Sequence, residues 1–131
     1  MPEQPKLPRP TDSELEILTV LWRLGPSTVR DVHEALGKDS AYTTTLKQMQ
    51  VMTEKGLLLR TEKYRTHVYQ AGTPKEQTQS AIMGDLIRRA FEGSAKNLVL
   101  GALTSQPSTP EDLDEIRRML DAHSKPQRRQ K

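Results

Sequence analysis

Thr43, Thr44, Lys47, Gln48 and Val51 lie in one stretch, Ala41 to Lys55, whose apolar residues recur at helical intervals. At roughly 100° per residue, Tyr42, Thr45, Leu46, Met49, Met52 and Thr53 gather on one side. Thr43, Thr44, Lys47, Gln48, Val51 and Glu54 gather on the other. The second set contains donors, acceptors and a cation. Threonine hydroxyls reach phosphates or base edges, and glutamine bonds adenine through both amide atoms. Lysine pairs with guanine or phosphate, and valine packs on a thymine methyl. The start of such a helix adds a favourable dipole and open N–H groups for a phosphate. Tyr42, at that start, counts with the DNA-facing set. The expected ligand is double-stranded DNA, read in the major groove.

A second basic group follows in Glu62-Lys63-Tyr64-Arg65-Thr66, between two short runs rich in apolar and β-branched residues. Leu57 to Thr61 and His67 to Ala71 read as the arms of a hairpin with a charged tip. Lys63, Arg65 and His67 there are suited to backbone phosphates, which position a protein on a duplex without specifying sequence.

Chemistry of other kinds finds no footing. There is no cysteine, so disulfides, thiolate metal sites and cysteine nucleophiles are excluded. His33-Glu34 begins like a zinc-protease motif, but Gly37 stands where the second histidine belongs. No Gly-x-Ser-x-Gly elbow or glycine-rich phosphate loop occurs. The expectation is a non-enzyme with no cofactor and no metal. Twenty Lys+Arg against 17 Asp+Glu leave a net charge of +3, too little for a general nucleic-acid coat but enough for one basic face. No stretch approaches the ~20 apolar residues of a membrane span, and none has signal-peptide character; a cytoplasmic protein without membrane insertion is expected.

The elements that must position these groups can be read in order. Residues 1–10, with Pro2, Pro5, Pro8 and Pro10, form a flexible arm. Thr11 and Glu14 make a capping box for a helix over 12–24, stopped by Gly25-Pro26. Ser27 or Thr28 caps a second helix that Gly37 ends. The helix with the threonine and lysine face is third, stopped by Gly56. These, with the hairpin, predict a winged helix-turn-helix over 11–72. Residues 73–122 predict three amphipathic helices, and 123–131 a basic, disordered tail. The fold is thus mainly α with a small β-hairpin. The C-terminal helices supply Ile82, Leu86, Ile87, Phe91, Leu98, Val99, Leu103, Ile116 and Leu120, too few to close a core alone. Pairing with a second copy would bury them at roughly 25 cal/mol per Å2. A homodimer also suits a palindrome.

Ala41-Tyr42-Thr43-Thr44-Thr45-Leu46, Glu54-Lys55-Gly56-Leu57-Leu58, the run Leu15-Glu16-Ile17-Leu18 through Trp22, and Lys96-Asn97-Leu98-Val99-Leu100 occur in a telling order. From about Thr11 to Leu120 the chain resembles the penicillinase-repressor (BlaI/MecI type) family. The resemblance implies a winged-helix repressor whose C-terminal helices interlock with a second copy and which binds inverted repeats in promoters of β-lactamase or stress genes. By position it places Thr43, Thr44 and Lys47 in the recognition helix and Arg65 in the wing. Family members commonly carry a basic residue where this chain has Val51. Relatives controlled by a sensor protease are cut between Asn and Phe after Leu-Val-Leu; here the matching pair is Gly101-Ala102, a departure that speaks against that partner. The alternative function is a winged-helix module that docks another protein without sequence-specific DNA binding.

Overall fold

The computed structural model describes residues 9–37, 39 and 41–124. Residues 1–8 of the expected arm and 125–131 of the expected tail lie outside the described residues; His123 and Ser124, expected in the tail, instead close the last helix. Thr11 opens α1 (Asp12–Leu24): its hydroxyl accepts from the Glu14 N–H at 3.2 Å, and the Glu14 carboxylate accepts from the Thr11 N–H at 3.0 Å. Two donors left open by the first turn are thereby satisfied. Thr28 and Asp31 repeat the device at α2 (Val29–Leu36). Gly37 then ends α2 in the left-handed region, φ 63°, where a Cβ would cost about 1–2 kcal/mol. After a short turn comes α3 (Tyr42–Glu54).

The hairpin is formed by β1 (Leu58–Lys63) and β2 (Thr66–Ala71), antiparallel, with Leu58 opposite Ala71 at the base and Lys63 opposite Thr66 at the tip. The sequence suggests a broader turn over Glu62–Thr66. The ladder instead continues through that stretch, leaving only Tyr64-Arg65 as the connection. Both have positive φ, 53° and 63°. A two-residue turn with this backbone twists with its strands and is normally filled by Asn-Gly. Tyrosine and arginine in it store local strain on the order of 1 kcal/mol each. A bridge between Ser27 and Tyr69, with N–H···O distances of 2.9 and 2.8 Å, ties the hairpin base to the α1–α2 connection.

One core holds these elements together. Ile17, Leu18 and Leu21 of α1 meet Val32 of α2, Met49 and Met52 of α3, and Leu58 and Tyr69 of the hairpin. Strand alternation splits the apolar run at its start: Leu58 points in and Leu59 out. Only Leu58 and Tyr69 of the strands are buried, so the hairpin stands off the core with its tip in solvent.

Beyond Gly72 lie α4 (Lys75–Ala90), α5 (Ala95–Ser105) and α6 (Pro110–Ser124). Ser94 and Thr109 cap α5 and α6 through the Asn97 and Asp112 N–H groups, at 3.1 and 3.0 Å. The chain resolves into two compact units divided within α4, between Asp85 and Leu86. In the first, Arg9 is ion-paired with Asp85. In the second, no residue of α5 or α6 is fully buried. Among the described residues no helix is long and apolar enough to cross a membrane.

Candidate nucleic-acid interface

Helix α3 is seated by Thr45, Met49 and Met52, all buried, with Leu46 half-buried beside them. Burying a hydroxyl is costly unless it is bonded. Thr45 meets that condition through His33 Nδ1 at 2.9 Å, a link from α2 to α3. With this side fixed, Thr43, Thr44, Lys47, Gln50 and Glu54 are exposed. No side chain caps the helix at Ala41, unlike α1 and α2. Among the described residues its first N–H groups have no side-chain acceptor, an arrangement that suits an anion.

Three of the expected contact residues sit elsewhere than the spacing alone suggests. Tyr42, which the helical wheel puts inward, is 40% exposed. Its ring meets His33 edge-on at 5.8 Å, and the Arg30 guanidinium lies 5.7 Å from its centroid. Gln48 is half-buried, and its amide donates to Ser13 Oγ of α1 at 2.9 Å. Val51 is half-buried on the same flank.

At the wing, Lys63, Arg65 and His67 are all exposed. Tyr64 is 88% exposed, with the Lys63 ammonium 5.7 Å from its ring. A groove of about 460 Å3 runs between α2, α3 and the wing, lined among others by Arg30, Tyr42, Arg65 and His67. Arg30, like the exposed Gln50 of α3, is a residue that sequence reasoning missed. Its place one turn before His33, on the exposed side of the helix preceding α3, was the available signal. The aromatic support from Tyr42 comes only with the turn between the two helices.

The far end of α3 is anchored as well. Lys55, its C-cap, donates to Glu14 Oε2 at 2.7 Å across 41 residues of sequence. Burial alone would raise the Glu14 carboxyl, but the Lys55 ammonium and the Thr11 donors outweigh it and hold the group below its ordinary value. A carboxylate depressed in this way stabilises the fold above its unfolded pKa, and that contribution disappears as pH falls through the folded value. Glu14→Gln should therefore lower stability by about 1 kcal/mol at neutral pH, a figure kept small because Lys55 is half exposed. It should also make acid unfolding shallower. Urea melts at neutral and acid pH check both, and equal losses in the two proteins on acidification would refute the assignment.

The residues expected to pair copies are distributed along the C-terminal helices. Ile82, Ile87, Phe91, Leu98 and Ile116 are half-buried, whereas Leu86, Val99, Leu103 and Leu120 are exposed. Gly101-Ala102 lies inside α5, and a Cβ on Gly101 would stand 3.4 Å from the Phe91 ring.

Comparison with known proteins adds an independent line. The sequence model of the family described as penicillinase repressor matches residues 10–122. A protein named transcriptional regulator BlaI, in two strains of Mycobacterium tuberculosis, is 32% identical over 118 residues, covering 88% of this chain and 85% of its own length. A penicillinase repressor of Bacillus licheniformis is 23% identical over 120 residues, covering 90% of this chain and 94% of its own. Capped α1 and α2, an exposed threonine–lysine stripe on α3, a hairpin with a basic tip and a match along nearly the whole chain agree: the chain belongs to the penicillinase repressor family.

Proposed function

We propose that the chain represses transcription as a homodimer seated on a palindromic operator, with α3 in the major groove and the wing on the adjacent backbone. Membership of the family makes it a transcriptional repressor rather than an enzyme. The observation that carries the DNA reading is the exposed stripe of Thr43, Thr44 and Lys47, held outward by the buried Thr45, Met49 and Met52. The groove beside it, with Arg30, Arg65 and His67, has the charge and position to follow a phosphate strand. Dimerisation is supported by the uncovered apolar residues of α5 and α6. A twofold pair would present its reading heads to half-sites about one helical turn apart. The regulated promoter is proposed to be that of a β-lactamase or stress-response gene, in keeping with the name of the Bacillus licheniformis relative.

Salt dependence tests this reading. Affinity for operator DNA should fall steeply between about 50 and 200 mM salt, and Lys47→Ala or Arg65→Gly should each reduce the slope by about two, one phosphate contact per protomer. Arg65→Gly carries a second signature. Relieving a non-glycine residue at φ 63° should raise stability by about 1 kcal/mol while DNA binding weakens. Unchanged slopes in both variants would instead favour a face that docks protein.

A further inference from the structure

We propose that Gln50, rather than Gln48, is the amide of α3 that reads a base edge, and that Gln48 is a positioning residue that sets the helix through Ser13. The proposal rests on the DNA-binding reading above and deepens it. Thr43, Lys47, Gln50 and Glu54 follow one another at three- and four-residue steps and are all exposed, so they form one stripe opposite the buried Thr45, Met49 and Met52. From Thr43 to Gln50 the helix advances about 10 Å, which matches a major groove about 12 Å wide. Glu54 lies a further ~6 Å on, where its carboxylate meets the phosphate rim, so the usable window closes at Gln50.

Gln48 lies to the side of this stripe. It is half-buried, and its Nε2 already donates to Ser13 Oγ. Reading a base would require it to break that bond and turn through the flank of the helix. Gln50 makes no side-chain hydrogen bond among the described residues, so both amide atoms are open. The pairing that uses both is adenine N6 and N7. The expected target is therefore one A·T pair, adenine facing α3, at the same position in each half-site.

Selection of bound duplexes from a random pool tests this with the full chain. The parent protein should enrich an adenine at one symmetric pair of positions. Gln50→Ala should lose that preference and bind the enriched site at least about thirtyfold more weakly, because one pairing is lost in each half-site. Gln50→Glu should convert the adenine to cytosine, whose N4 amine donates to a carboxylate. Gln48→Ala should keep every preferred base and weaken binding to all duplexes by a common factor, because α3 loses its tie to α1. A parent motif left intact by both Gln50 variants, or one base preference lost in Gln48→Ala alone, overturns the proposal while leaving the operator reading standing. A parent protein that enriches no sequence overturns both.

Discussion

A Leu103→Asp chain is expected to sediment as a monomer at micromolar concentration and to lose at least about a hundredfold in operator affinity, while its N-terminal unit melts like the parent's. Leu103 is 37% exposed in the single chain and lies on α5, which has no fully buried residue. An aspartate there stays solvated in the protomer, so the fold of one copy is spared. In an apolar interface the same carboxylate would be desolvated without a partner, a cost of several kcal/mol. Linking two half-site contacts is worth about 10²- to 10⁴-fold over one, and that advantage is lost when the copies separate. Leu120→Asp, at a position 56% exposed on α6, should act the same way. Sedimentation and fluorescence anisotropy measure the two halves of the claim. A parent protein that is monomeric at micromolar concentration and still fully operator-competent would remove the basis for the dimer.

The largest loss of stability is expected from Ile17→Ala, at about 2–4 kcal/mol. Ile17 is wholly buried on the inner side of α1, within the cluster that includes Val32, Met49, Met52, Leu58 and Tyr69. Removing three carbons from a close-packed site forfeits their transfer free energy and leaves a cavity that the helices fill only in part. A domain of this size has about 5–15 kcal/mol to lose, so the change is severe. The contact surface of α3 is untouched, so DNA affinity measured well below the lowered melting temperature should remain near that of the parent. A stable Ile17→Ala protein with weakened binding would contradict the separation of core from interface described above.

Much of this architecture could be read from residue types, because it is set by local rules. Thr11 with Glu14, Thr28, Gly25 and Gly37 mark helix ends through hydrogen bonds and backbone angles that span a few residues. The buried side of α3 follows from period alone for Thr45, Met49 and Met52. What remained hidden depends on contacts far apart in sequence. Period alone puts Gln48 on the polar side of α3, but its bond to Ser13, 35 residues earlier, depends on how α1 and α3 pack. Glu14 was legible as a capping acid but not as the partner of Lys55. Tyr42 follows neither its polarity nor its period; it is drawn outward beside His33 and Arg30. At the wing, strand register overrode turn propensity, placing Tyr64 and Arg65 where composition favours asparagine and glycine.

The bare surfaces of α5 and α6 bear on dosage. If only another copy covers them, the population of assembled pairs at scarcity grows with the square of chain number. Diluting the chain about twofold, as one cell division does, would thin the pairs about fourfold. A promoter governed in this way would clear over a narrow span of protein level, so that small changes in synthesis or turnover act as a threshold.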